Sequence, residues 1–280
     1  ALDTGYTHYV PSAGITEVRK AIAADASRRY SRDISWENII ITPGGKPIMF
    51  FTILALIEEG DEVLYPNPGF PIYESMIRFA GGTPIPMQLH ERLGYNPDLE
   101  EVQGQVNSRT KLIIVNSPNN PCGSVIPEID LQKISMLAKD VGAAVLSDEI
   151  YKDFYYEGTH SSITEYPGMW DRTIVLDGLS KSYAMTGWRV GFGIFPDFLV
   201  EPVTRLVTNS VSCTAAFSQI ASVSAIESSQ QSVREMVAEF KERRDLLVEG
   251  LNSITGITCP MPKGAFYAFP NITGTGYTSE

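Results

Sequence analysis

The sequence has no long hydrophobic run. The longest, Ile48 to Ile57, covers ten residues between Lys46 and Glu58; that is about half of the ~20 a helix needs to cross a bilayer, and it predicts a buried helix instead. Basic residues are in the minority: 22 Lys and Arg against 33 Asp and Glu leave a formal net charge of −11. Such a balance repels nucleic acid and anionic membrane at long range, so neither is an expected partner. Histidine and cysteine are scarce, with three of each. His8, His90 and His160 lie far apart, which offers no support for a metal site or a histidine-based triad. Cys122, Cys213 and Cys259 are odd in number and lack paired spacing, a pattern of reduced thiols in a cytoplasm. No leader with a basic start and a cleavage site is visible, nor are there repeats or a low-complexity linker.

What is present is an ordinary globular composition, 43% apolar and 20% charged over 280 residues. That length suffices for one large core, or one large domain plus part of another. Apolar runs of strand length alternate with helical periodicity. The β-branched Ile39-Ile40-Ile41 closes a strand that Gly44-Gly45 separates from an apolar helix at Pro47 to Glu58. Strands follow at Glu62 to Tyr65, Thr83 to Met87, Lys111 to Val115, Ala143 to Ser147 and Thr173 to Asp177. Helices are expected at Ile72 to Ala80 and Glu128 to Asp140. This alternation predicts an α/β fold, a mostly parallel sheet sandwiched by helices. Past Pro196 the pattern turns helical, with one helix over Ala215 to Asn252 or two broken near Ser228-Ser229. The run Lys241-Glu242-Arg243-Arg244-Asp245 reads as a solvated face. Gly264 to Phe269 is expected to be a final strand.

Ligands of open α/β sheets gather outside the carboxyl ends of the strands. The residues just past each strand are therefore site candidates: Gly44-Gly45-Lys46, Asn116 to Gly123, Asp148 to Tyr151, and Gly178 to Lys181. Together they suit an anionic, aromatic, carbonyl-bearing ligand. Lys181, between Ser180 and Ser182 and beyond a buried strand, is placed to be partly desolvated. Desolvation and the cation of Arg189 would lower its pKa and supply the neutral amine that attacks carbonyls. TPGGK (Thr42 to Lys46) is not a nucleotide-triphosphate loop, because it lacks the GKS or GKT ending. No G-x-G-x-x-G follows a strand, which disfavours a nicotinamide dehydrogenase.

The motifs themselves carry a resemblance. SKSYAMTGWR around Lys181 resembles the lysine signature of class I/II aminotransferases, the fold-type I pyridoxal-phosphate enzymes. SPNNPCG (Ser117 to Gly123), SDEIY (Ser147 to Tyr151), TPGGK and YPNPGFPIY (Tyr65 to Tyr73) resemble family motifs too. So do HYVPSAGITEVRKAIA near the start and GAFYAFPNI near the end, so that the likeness spans nearly the whole chain in order.

The resemblance implies a cofactor, pyridoxal 5'-phosphate, and a role for each residue. Lys181 would hold it as a Schiff base and then serve as the base that moves the substrate α-proton. Asp148 would pair with the ring nitrogen, and Asn120 and Tyr151 would hydrogen-bond the phenolic oxygen. Phe70 would stack on the ring. Gly45 and Lys46, through backbone amides at a helix start, would bind the phosphate with Ser180 and Arg189. Taken without the motif, Asp148 reads equally as a strand-end cap, Asn120 as a turn former, Phe70 as a core aromatic and Lys46 as a surface residue. Tyr9 matches a family tyrosine that reaches the phosphate of a neighbouring subunit, which implies a homodimer with shared sites; a tyrosine packed within its own subunit is the alternative.

Two positions depart from the family pattern. Gly178 stands where many relatives have a phosphate-binding serine, and Cys122 where threonine is usual. Family members are longer, and the arginine that binds the substrate α-carboxylate lies beyond the end of this sequence. The expectation is therefore a cofactor-binding domain over 1–235 with the incomplete start of a smaller α/β domain over 236–280, and weak cofactor binding and little turnover from these residues alone. The implied activity is transfer of an amino group from an L-amino acid to a 2-oxo acid. A pyridoxal-phosphate carbon–sulfur lyase and a non-enzymatic regulatory domain of the same fold remain open.

Overall fold

The computed structural model describes residues 1–279. After helix α1 (Thr16–Arg29) the chain runs β1 (Ile39–Thr42), α2 (Lys46–Leu56), β2 (Glu62–Asn67), α3 (Ile72–Phe79), β3 (Thr83–His90), β4 (Asn96–Pro97), α4 (Leu99–Gln105), β5 (Thr110–Asn116), α5 (Glu128–Val141), β6 (Ala144–Asp148), β7 (Thr173–Gly178) and β8 (Gly191–Ile194). Helices α6 (Asp197–Ser210), α7 (Ala216–Glu227) and α8 (Gln231–Asn252) follow. The strands form one sheet in the order β1-β8-β7-β6-β5-β2-β3-β4. Strands β7, β6, β5, β2 and β3 are parallel, and β8 is antiparallel to both of its neighbours, β1 and β7.

Both faces of the sheet are covered, which is why its strands read as continuous apolar runs. Alternate residues serve opposite layers. Ile40, Leu112, Ile114, Leu146 and Leu176 pack with residues of α2, α3 and α6 on one side. On the other, Ile39, Ile41 and Val175 meet α1 and α7, while Ile113, Val115 and Val145 meet α4 and α5.

The helical stretch after Pro196 is broken at Ser228, as the serine pair suggested. The Gln230 side-chain amide caps the break by donating to the carbonyls of Ala225, Ile226 and Ser228. One expectation is corrected: Gly264 to Phe269 forms no strand, only an isolated bridge between Gly264 and Tyr155. Its backbone is used otherwise, with Lys263 and Gly264 donating to the Gly123 carbonyl and Ala265 to that of Phe154. Ala265 is left-handed, at φ 54°, which breaks the extended line. All three cysteines are free. Among the described residues no helix is long and apolar enough to cross a membrane, and no cluster of His, Cys, Asp and Glu is arranged to hold a metal ion.

Candidate active site

The strand order changes direction between β2 and β5, and a cavity of about 400 Å3 opens at the carboxyl edge there. Residues from beyond β1, β2, β5, β6 and β7 line it.

One wall is built for an anion. Gly45 is the N-cap of α2 and carries no side-chain cap, and it lines the cavity with Lys46, so the start of the helix, with its partial positive charge, borders the cavity. Ser180 and Arg189 line the same cavity. Arg189 adopts a left-handed conformation, φ 55°, and folds its guanidinium back to donate to the carbonyls of Thr186 (2.8 Å) and Pro43 (3.2 Å). Gly44 makes this possible: a Cβ there would lie 2.3 Å from Arg189 Nη2. Lys46 is exposed at the helix start, its ammonium 5.3 Å from the centre of the Phe70 ring.

The opposite wall holds a carboxylate stripped of water. Asp148 ends β6 and is 3% exposed. Its hydrogen bonds come from neutral groups, the Tyr73 hydroxyl at 2.6 Å and the Ile150 amide at 3.3 Å. Burial raises its pKa to about 6 against the pull of those two bonds, and the negative neighbours Asp177 and Glu149 add to the rise. Glu149, the next residue, goes the other way. Burial pushes it up too, but His160, Ser162 and Ser147 outweigh burial and leave it at about 2. His160 Nε2 stands 3.1 Å from Glu149 Oε2, close enough for Coulombic attraction though not aligned as a hydrogen bond.

Between these walls lies Lys181, half-buried, its ammonium 5.5 and 5.7 Å from the ring centres of Phe266 and Tyr151. Burial lowers its pKa; the nearby Arg189 lowers it further and Asp148 pulls it back. A lowered pKa brings the amine closer to the neutral form that attacks carbonyls. The loop that carries it is pinned from behind. Ser182 donates to Asp153 at 2.6 Å, Arg29 of α1 reaches Asp153 at 3.1 Å, and the buried Lys152 contacts Asp177 at 2.5 Å and Asp153 at 3.3 Å.

Asn120, Tyr151 and Phe70 also line the cavity. Asn116, at the end of β5, positions the first of these. Its amide donates to the Asp148 carbonyl at 3.1 Å while its oxygen accepts from the Asn120 backbone at 2.8 Å. Nine of the ten residues singled out in the sequence thus converge on one space. Tyr9 does not. It is 88% exposed and lies in a separate surface groove with Cys213 and Phe217. The two departures have structural reasons. Cys122 is buried against Leu89 and Tyr95, away from the cavity, with its thiol pKa pushed up to about 12 by burial. Gly178 is a strand residue whose Cβ would fall 2.9 Å from the Cα of Gly191.

Sequence reasoning missed Tyr73, Phe266 and Tyr267, and had Asn116 only as the start of a candidate run without a role of its own. Each sits inside or beside a motif already noted, but nothing linear says that Tyr73, on a helix, reaches a strand end 75 positions later.

A sheet of this topology, presenting a poised amine, a desolvated carboxylate and an anion-binding helix start, defines an α/β enzyme that handles amines around an anionic ligand. The family model for aminotransferase class I and II matches residues 1–278. The chain is 38% identical to the aspartate aminotransferase of Pyrococcus horikoshii over 100% of this chain and 72% of that protein. It is 37% identical to the aromatic-amino-acid aminotransferase 2 of Thermococcus litoralis, over 100% of this chain and 73% of the other. The crystal structure of the aromatic aminotransferase from Pyrococcus horikoshii superposes with a TM-score of 0.96 at 35% identity, over 99% of this chain and 75% of that one. The alanine aminotransferase of Pyrococcus furiosus does so at 0.92 and 34%, over 97% and 70%. The chain belongs to the class I and II aminotransferases, a pyridoxal-phosphate-dependent family, and is a transaminase.

Proposed function

We propose that this cavity binds pyridoxal 5'-phosphate on Lys181 and transfers the amino group of an L-amino acid to a 2-oxo acid. The observation that carries the reading is the convergence of Lys181, Asp148, Arg189 and the start of α2 on one cavity. The donor set fits the cofactor. Uncapped amides and a guanidinium suit a phosphate, Phe70 offers a ring face, and Asp148 has only neutral partners, which leaves its charge available to a protonated ring nitrogen.

When bound, the cofactor supplies an aldehyde that condenses with amines and a ring that withdraws electrons from the substrate α-carbon. Lys181 Nζ would hold the cofactor and, as a free amine, would serve as the base that moves the substrate α-proton. Asp148 keeps the ring nitrogen protonated. Asn120 and Tyr151 hold the phenolic oxygen, Phe70 fixes the ring plane, and Gly45, Lys46, Ser180 and Arg189 hold the phosphate.

Tyr9 belongs to the same proposal through a second copy. Its exposure, beside the exposed Trp188 and Phe217, supports a homodimer in which Tyr9 reaches the partner's phosphate. We place the protein in the cytoplasm, on its unpaired cysteines, and assign 1–235 to the cofactor domain and 236–280 to the start of the smaller one. Relatives named for aspartate and for aromatic amino acids make dicarboxylic and aromatic L-amino acids the first substrates to assay.

The test is the absorption spectrum of the protein mixed with pyridoxal 5'-phosphate. A visible band that forms with the parent and is lost in Lys181→Ala supports the reading; an unchanged band in the variant ends it.

A further inference from the structure

The GAFYAFPNI segment ends the sequence likeness without a role in the chemistry above, yet its tyrosine enters the site. The Tyr267 hydroxyl lies 2.5 Å from that of Tyr151, and both side chains line the cavity. The segment is fastened for this. The left-handed Ala265 turns the chain, its amide donates to the Phe154 carbonyl, and its own carbonyl accepts from the Tyr156 hydroxyl. Phe266 then stacks on Phe240 of α8 and Tyr267 meets the edge of Tyr151. A buried residue in a left-handed conformation without being glycine persists only where its surroundings over-determine it.

We propose that Tyr267 is a positioning residue for Tyr151: its hydroxyl donates to the Tyr151 oxygen and so leaves the Tyr151 proton free to point into the cavity. A phenol has a single proton and can accept twice. If Tyr151 spent its proton on Tyr267, it could not donate to the cofactor's phenolic oxygen. The Tyr151 ring is 2% exposed, whereas Tyr267 is only half-buried. The outer hydroxyl can accept from solvent and pass its own proton inward, which the inner one cannot do. A hydroxyl that accepts a hydrogen bond is a stronger donor itself, through cooperative polarisation along the chain. The inference rests on the reading that Tyr151 holds the phenolic oxygen of pyridoxal 5'-phosphate.

The experiment is a pH titration of the bound cofactor's visible absorption band in four proteins: the parent, Tyr267→Phe, Tyr151→Phe and the double variant. A donor at the phenolic oxygen favours its anionic form, so losing one raises the pH midpoint. Tyr151→Phe is expected to raise it, and Tyr267→Phe to raise it less, on the order of half a pH unit. The double variant is expected to match Tyr151→Phe alone, because the outer phenol acts only through the inner one. Tyr267→Phe keeps the ring contacts and hence the fold. 3-Fluorotyrosine at position 267, a stronger donor of nearly equal size, checks the sign by lowering the midpoint. A midpoint unmoved or lowered by Tyr267→Phe overturns the proposal, as does an additive double variant. If Tyr151→Phe leaves the midpoint in place while Lys181→Ala abolishes the band, the role of Tyr151 falls and this proposal with it, but the lysine-based function stands.

Discussion

Asp148 and Glu149 are neighbours in sequence and nearly equal in burial, yet their pKa values are driven apart, to about 6 and about 2. The difference lies in partners. Glu149 has a histidine, two serine hydroxyls and the Tyr30 phenol, and Asp148 one phenol and one amide. A folded-state pKa above the ordinary value has a definite sign. The cofactor-free chain gains stability from a protonated Asp148 below about pH 4 and loses that gain as the pH rises through about 6. Asp148→Asn is therefore expected to exceed the parent by about 3 kcal/mol at about pH 7.5 and by little at about pH 4, without cofactor. Urea unfolding at both pH values measures it, and an equal difference at the two would remove the carboxylate as the cause. The strand-end acid was legible from SDEIY. Its lack of a charged partner was not, because the Tyr73 phenol reaches it only through the fold.

The wall proposed to hold the phosphate depends on three elements meeting closely, β1, the start of α2, and β8. Gly191 of β8 pairs with Thr42 of β1 and Gly178 of β7. A Cβ on Gly191 would fall 2.3 Å from the carbonyl carbon of Gly44 and 2.5 Å from the nitrogen of Gly45, both backbone atoms with nowhere to go. On Gly45 it would meet only Leu176 Cδ2, at 3.2 Å. Gly191→Ala is expected to weaken cofactor binding at least about tenfold, by displacing the anion-binding turn, and Gly45→Ala by no more than about threefold. Fluorescence titration with pyridoxal 5'-phosphate compares them; similar losses would disprove the steric account. Strand β8 itself was not read from the sequence, since Gly191-Phe192-Gly193-Ile194 lacks the β-branched run that marked the parallel strands. The reverse error occurred at Gly264 to Phe269. There the apolar pattern was strand-like, but two loops claim the backbone donors.

At the scale of the molecule, a tyrosine implied in phosphate binding stands 88% exposed and outside its own cavity. The proposed site shared between two copies would account for this. Sedimentation equilibrium is expected to give twice the chain mass of 30.8 kDa. Tyr9→Phe is expected to release cofactor faster on dialysis while leaving that mass unchanged. A monomer that retains cofactor fully would refute the shared site.

The sequence alone determined the α/β alternation, the order of the parallel strands' motifs and the identity of the lysine, the acid and the arginine. These are local signals, period in the first case and residue type just past a strand in the others. Tertiary structure decided which of those residues meet, that Tyr73 and Tyr267 join them, and that two adjacent carboxylates titrate oppositely. Contact, desolvation and hydrogen-bond partnership across scores of residues are properties of the packed chain, and no window of sequence contains them.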